Sequence, residues 1–347
     1  GNTAYYSSLG DGKVFNGGTS GFIPIDTEDA FGLVGGVEFQ DRLILFSRRK
    51  AYIIDDTAAD TADWGYSSAA WDGGAAHWRL IVATPNDLVV MGEDGDIYSV
   101  TAVQSYGDYK QASLARPAFI DNYIRENIRM AYIDDFHATF DPELRAIKFF
   151  VVRTGQTEVD TALVDFIDRP PEEAWMPHDN QGAISGYNAS CSFMVRVGAG
   201  DFTMYTGDYD GFLWKLEQET RSDAGAGYYG GFKTINLPFD NPRIRKQYKR
   251  GFALAKTQGN YNLSVNVWID GAAKDGTTVS LAGTGGVLGS FVLGTDVLGG
   301  TEFIDRPFHL DYHGRRLQLE FYNSGAGEDF FVSQILLDHR TMGALPS

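Results

Sequence analysis

Carboxylates are the side chains of this sequence best placed to do chemistry, and several come in pairs: Asp55-Asp56, Asp134-Asp135 and Glu172-Glu173. A glycosidase needs two carboxyl groups facing each other across about 5–10 Å. Neighbours on a strand point to opposite faces, so an adjacent pair is not such a dyad. Each pair therefore reads as a solvated turn. Asp208-Tyr209-Asp210-Gly211 and Glu93-Asp94-Gly95-Asp96 resemble the start of a calcium loop. Calcium needs about 6–8 oxygen ligands, and in both segments an apolar strand run begins directly after the turn, at Phe212 and at Ile97. Both read as hairpin turns. The six histidines are His77, His137, His178, His309, His313 and His339. His309 and His313 would share a helix face, but they flank Leu310-Asp311-Tyr312 and precede Gly314, which reads as strand and turn rather than a zinc site. Cys191, the only cysteine, is expected to be a buried strand thiol, and no intrachain disulfide can form. Gly283-Thr284-Gly285-Gly286 lacks the Lys-Ser/Thr of a phosphate cradle, and no Gly-x-Ser-x-Gly occurs. The expectation is a chain with no catalytic, cofactor-binding or metal residues.

The elements that would position any site are strands. Aromatic residues make up 14% of the chain, with 41 glycines and 11 prolines, a composition that favours strands and tight turns. Five segments end an apolar run with a turn and a short apolar or aromatic stretch. They are Asp11 to Phe15, Arg49 to Ile54, Asp94 to Tyr98, Thr161 to Phe166 and Asp210 to Trp214. With Val14, Ile53, Ile97, Leu163 and Leu213 as markers, the intervals are 39, 44, 66 and 50 residues. Blades of a four-stranded propeller repeat at roughly 40–50 residues. Strands are expected at Val37 to Phe39, Leu43 to Phe46 and Tyr52 to Ile54, then at Trp78 to Val82, Leu88 to Met91 and Ile97 to Val100. Further strands are expected at Met130 to Ile133, Ala138 to Phe140, Ile147 to Val152 and Leu163 to Ile167, then Ala183 to Tyr187, Ser192 to Val197, Phe202 to Tyr205 and Phe212 to Leu216. Ala118 to Ile128, after Arg116-Pro117, carries Phe119, Ile120, Tyr123, Ile124 and Ile128 at helical spacing and predicts a helical insert.

Ser222 to Gly227 reads as a linker. Beyond it, seven or eight strands over 232–337 are spaced as in a β-sandwich. The expected fold is all-β: an irregular β-propeller of about five blades with a helical insert over 1–221, then a jelly-roll-like β-sandwich over 222–347. Val287-Leu288-Gly289, Val292-Leu293-Gly294 and Val297-Leu298-Gly299 repeat with a period of five, which fits neither a strand nor a helix and predicts a loop or arm.

The formal charge of −17 disfavours a reader of duplex nucleic acid. No run approaches the roughly 18 apolar residues of a membrane span. Gly1 to Tyr5 does not read as a signal peptide. Arg243, Arg245, Lys246, Lys249 and Arg250 form one dense basic cluster, either solvated charges at a strand entrance or a docking patch for an acidic neighbour. With Val287, Leu288, Val292, Leu293, Val297 and Leu298, these residues form the candidate assembly interface.

Gly35 to Phe46, Ala51 to Ile54, Val89 to Tyr98 and the helical segment Tyr123 to Ile128 together resemble the β-propeller hub or nozzle proteins of bacteriophage tails. The likeness covers most of 30–220 and, more loosely, 230–340. It implies a non-enzymatic structural protein of the virion tail, assembled as a ring of copies with portal, adaptor or other tail proteins, near passing DNA and without a cofactor. Two other readings stand beside it. One is a carbohydrate-binding or carbohydrate-active host-adsorption propeller, in which Trp64, Trp71, Trp78 and Trp175 stack on sugars unless they are blade core. The other is a protein-interaction propeller of cellular origin.

Overall fold

The computed structural model describes residues 1–27, 31–69, 71, 73–101, 113–115, 120–179, 188–198, 200–216, 222, 225–239, 241–283 and 303–342. Strands dominate, and no described helix is long and apolar enough to cross a membrane. The chain divides into two compact units, Gly1–Asn180 with Gly186–Glu217, and Gln181–Ser185 with Gln218–Ser347.

The first unit is a succession of small antiparallel sheets. A hairpin of β1 (Thr3–Tyr6) and β2 (Gly21–Pro24) comes first. Next comes a four-stranded sheet of β3 (Gly35–Phe39), β4 (Arg42–Phe46), β5 (Ala51–Asp55) and β6 (Gly65–Ser68). A three-stranded sheet follows, of β7 (Ile81–Ala83), β8 (Leu88–Met91) and β9 (Ile97–Ser99). The helix α1 (Ile120–Asn127) precedes a four-stranded sheet of β10 (His137–Asp141), β11 (Ala146–Val151), β12 (Thr161–Phe166) and β13 (Trp175–Asp179). The last sheet is β14 (Ala189–Arg196), β15 (Phe202–Asp208) and β16 (Leu213–Lys215).

These sheets stack face to face, and β8 shows why. Its four residues are all buried. Leu88 and Val90 join Phe39, Ile44 and Phe46 of the preceding sheet in one core. Val89 and Met91 point the other way and join Ile147, Phe149 and Leu163 of the following sheet in another. Strand β11 is buried along its whole length as well. A strand without a polar face needs a layer on each side. The first strands lie side by side in chain order, β3 against β7, β7 against β10 and β10 against β14. This is an all-β unit of successive sheets; no closed ring is shown among the described residues.

Several local expectations change. Val14 and Phe15 are exposed in the connection between β1 and β2, so the first repeat marker is not a strand. Trp78–Leu80 and Met130–Asp135 are 3-10 turns that lead into β7 and β10, where strands were expected. Ala183 to Tyr187 and Val287 to Leu298 lie outside the described residues. Helix α1 packs on the β8–β9 hairpin: Gly95 has φ +81°, and a Cβ there would sit 3.1 Å from Ile124. Ile120 and Ile124 face that core, while Arg125 and Asp121 pair on the outside at 3.1 Å.

The second unit has two sheets around one core. One is β17 (Gly230–Lys233), β22 (Leu317–Asn323), β19 (Asn262–Ile269) and β20 (Ala272–Ser280), in that spatial order. The other is β21 (Phe303–Gly314), β18 (Lys246–Lys256) and β23 (Val332–Thr341), with β18 in the middle. Alternate residues of both sheets, among them Val265, Val267, Leu319, Phe321, Ala253 and Phe308, fill the space between them.

Two buried titratable groups in β10 and β12 oppose each other in pH. His137 stacks on Phe150 at 4.7 Å, and burial pushes its imidazole down to about 4. Burial pushes the Asp165 carboxyl up to about 7. A lowered histidine loses stability as pH falls from its unfolded value through the folded one. A raised aspartate loses stability as pH rises over the range between its two values. Each term is worth roughly 3–4 kcal/mol at full extent, and between pH 4 and 7 they largely cancel. Unfolding titrations from pH 4 to 8 should therefore show Asp165→Asn losing stability on acidification relative to the parent, and His137→Leu gaining it. Parallel profiles for the three proteins would refute the assignment.

Candidate functional site

Register places two kinds of connection at the same end of each sheet in the first unit. Gly35 pairs with Phe46, Ile81 with Val90, His137 with Phe150, and Ala189 with Asp208. The entrance to each first strand therefore lies beside the turn between the second and third strands. Because the first strands are adjacent, these ends gather into one face. It carries Arg48, Glu93, His77, Trp78, Arg79, Asp134, Asp135, Glu158, Asn188 and Tyr209.

Arg79 binds this face together. Its guanidinium donates to the carbonyl of Asp134 at 2.5 Å and to that of Ser190 at 3.3 Å, joining the entrances of three successive sheets. Asn188 donates to Glu158 at 2.6 Å, and Arg48 pairs with Glu93 at 3.3 Å. His77 caps its 3-10 turn by accepting from the Arg79 amide at 3.4 Å. Burial and the charge of Arg79 hold the His77 imidazole below its ordinary value, with Arg48 adding and Asp134 and Asp135 opposing. Tyr209 is raised chiefly by burial, with Asp135 and Glu158 adding, and with a backbone hydrogen bond to Val159 and the Arg79 charge opposing. Asp135 and Arg79 thus act on both His77 and Tyr209, groups on different sheets.

Trp78 gives the face its platform. Its side chain is 60% exposed, and its ring lies 5.7 Å from that of His77. Its base is held against Gly35, where a Cβ would come within 2.6 Å of the Trp78 Cβ. Only a glycine permits that approach without a shift. Phe212, in the β15–β16 turn, is 63% exposed at the corresponding end of its own sheet.

The other three tryptophans expected to stack on sugars are engaged within the fold. Trp71 is buried, Trp64 packs on Tyr6 and donates to Ala58, and Trp175 stacks on Phe149. Asp134-Asp135 ends a 3-10 turn rather than a strand, so the opposite-faces argument does not apply to it, and both carboxylates act on His77. Asp55 accepts from the Thr57 hydroxyl, which holds its carboxyl below the ordinary range at the exposed end of β5. Glu172 and Glu173 occupy the first turn of the short helix α2 (Pro171–Ala174). Burial of Asp208 works against its charge, but hydrogen bonds from Trp214 and from the amides of Phe212, Asp210 and Gly211 outweigh it. Its carboxyl falls below the usual range and serves the hairpin. Cys191 is exposed on β14, contrary to the buried thiol expected. Among the described residues, no group of three or more His, Cys, Asp or Glu could hold a metal.

In the second unit the basic cluster divides. Lys246 is fully buried, and its ammonium donates to the carbonyls of Pro238 and Asn241 at 2.7 Å and of Ile244 at 3.4 Å. It closes a loop and is not a docking charge. Arg243, Arg245, Lys249 and Arg250 are exposed.

No family model and no curated protein matches the chain. Solved structures do. An exo-β-1,3-galactanase from Phanerochaete chrysosporium, determined with β-1,3-galactotriose, is 10% identical over 87% of this chain and 80% of its own, with a TM-score of 0.29. A glycoside hydrolase is 8% identical over 91% of this chain and 86% of its own, at 0.24. A GH32 β-fructofuranosidase from Bombyx mori is 9% identical over 96% and 84%, at 0.23. TM-scores this low carry no argument about fold, residues or substrate. The structures found are glycosidases, against the expectation of a non-enzyme, and that expectation is withdrawn.

Removing the guanidinium that joins three sheets should be felt as stability. Arg79→Met should lower the unfolding free energy by about 1–2 kcal/mol, the scale of hydrogen bonds from a charged donor discounted for partial exposure. Chemical denaturation measures it, and an unchanged midpoint would show that the bridge holds nothing.

Proposed function

We propose that the first unit binds carbohydrate at the face formed by the entrances to its first strands. The observation that carries this reading is Trp78, an exposed indole beside His77 whose Cβ is seated against Gly35. An aromatic face with polar groups around it suits the apolar side of a sugar ring, whose hydroxyls then reach the polar rim. Here Asp135, Glu158, Tyr209 and Arg79 supply that rim. Asp135 is the carboxylate that acts on both His77 and Tyr209. It is the residue to replace in asking whether binding proceeds to hydrolysis.

A second reading, a structural protein of a phage tail assembled through copies of itself and through portal, adaptor or other tail proteins, is favoured by a different observation. Strand β17 is an outer strand of its sheet, and Tyr228, Tyr229, Phe232 and Ile235 on and around it are exposed, Ile235 by 76%. Exposed apolar residues on an outer strand of a sheet are what an assembly contact covers.

Glycan-array binding followed by calorimetry tests the first reading. Trp78→Ala should weaken saccharide binding by at least about tenfold, or 1.4 kcal/mol, with the fold intact. Reducing-end release that Asp135→Asn abolishes would extend binding to hydrolysis, and silence across neutral and acidic glycans would sink the proposal. For the second reading, light scattering should show an oligomer that Ile235→Lys dissolves, and a monomer at all concentrations would end it.

A further inference from the structure

The ladders of the second unit shift register at Val265/Val267, at Leu254/Ala255 and at Tyr248/Arg250, and only at the last does the central strand break against both of its neighbours. On β18, Tyr248 pairs with His339 and Arg250 with Asp338, leaving Lys249 as an extra residue on the central strand. On the other side, Tyr248 pairs with Tyr312 and Arg250 with His309, so the register breaks there too. Asp311, inside that break, has φ +44°, in the left-handed region. Bulges re-aim side chains, and a non-glycine residue with positive φ persists only where its surroundings hold it. The result here is that Lys249 and Arg250 are both exposed, although they are consecutive.

The bulge opens a groove of about 560 Å³ lined by Lys249, Arg250, His309, Asp338, His339 and Arg340. Three cations face one carboxylate, and that carboxylate is taken by Arg250 at 2.8 Å. Lys249 and Arg340 have no ion-pair partner among the described residues. On a chain of −17 this is a local reversal of sign. Beside it runs an apolar strip: Phe252 pairs with Pro307 on one side and Leu336 on the other, and Arg250 lies over the Phe252 ring at 5.1 Å. Leu336 is 51% exposed.

We infer that this groove binds an acidic saccharide, its carboxylate or sulfate on Lys249 and Arg340 and its ring on the Phe252–Leu336 strip. Charge-assisted hydrogen bonds hold the oxyanion, and guanidinium geometry suits a planar carboxylate. The apolar strip is what an inorganic anion could not use. The net charge of the chain opposes duplex nucleic acid. The groove belongs to the second unit, and the inference does not rest on the carbohydrate reading of the first.

The test is calorimetry on the full chain with a hexauronate, a neutral hexasaccharide of the same length and inorganic sulfate, at matched ionic strength. The hexauronate should bind, and the neutral sugar should not bind in this groove. Lys249→Ala with Arg340→Ala should weaken hexauronate binding by at least about tenfold. Leu336→Ser should weaken the hexauronate but leave sulfate unchanged. Arg243→Ala with Arg245→Ala, which removes equal charge outside the groove, should leave hexauronate binding as it was. All measurements are made in the Trp78→Ala background, so that failure of the first-unit reading is seen separately. No hexauronate binding, equal loss from the two double variants, or sulfate binding as tightly as the uronate would each overturn the inference.

Discussion

A strand with both faces apolar can be satisfied only by a layer on each side, and β8 and β11 are such strands. Each fully buried aliphatic or aromatic side chain contributes about 1.5–3 kcal/mol, so the central sheets cannot exist alone. Stacking buries these central strands and leaves water to the strand ends, their connections and the outer strands such as β13. The face proposed to bind carbohydrate lies at such ends, where Arg79, Trp78 and Tyr209 are found. The same constraint explains Lys148, buried inside β11 and paired with the equally buried Asp141 at 3.7 Å. A charge on a strand with no solvent face must bring its partner inside.

The second unit meets its burial requirement differently. Its sheets alternate apolar and polar residues and share one core between two layers, leaving each outer face to solvent. That freedom permits the bulge at Lys249. A central strand buried on both faces would lose core packing if it turned two consecutive side chains outward, whereas β18 only redistributes charge on a wet surface.

Much of this was legible in residue order. The run Leu88-Val89-Val90-Met91, with no polar residue in it, already says that both faces are covered, and Asp94-Gly95 already says hairpin. Helix α1 follows from the spacing of Ile120, Tyr123, Ile124 and Ile128. Other features were not legible. Trp78–Leu80 and Met130–Asp135 look like strands because their apolar residues carry no period at such short length, and their 3-10 form comes from caps and from packing on neighbours. The burial of Lys246 depends on a loop closing over its ammonium, which charge counting reads as a surface cluster. The meeting of Arg79 with Asp134 and Ser190 joins residues 55 and 111 positions apart, and no local pattern announces it.

Cys191 follows Ser190, whose carbonyl receives Arg79, and its thiol is open to solvent on the first strand of its sheet. The chain therefore carries a single native attachment point for a spectroscopic label, one residue from the bridge that joins three sheets. A fluorophore or spin label placed there reads the environment of that bridge in the unaltered sequence, with no background from a second thiol.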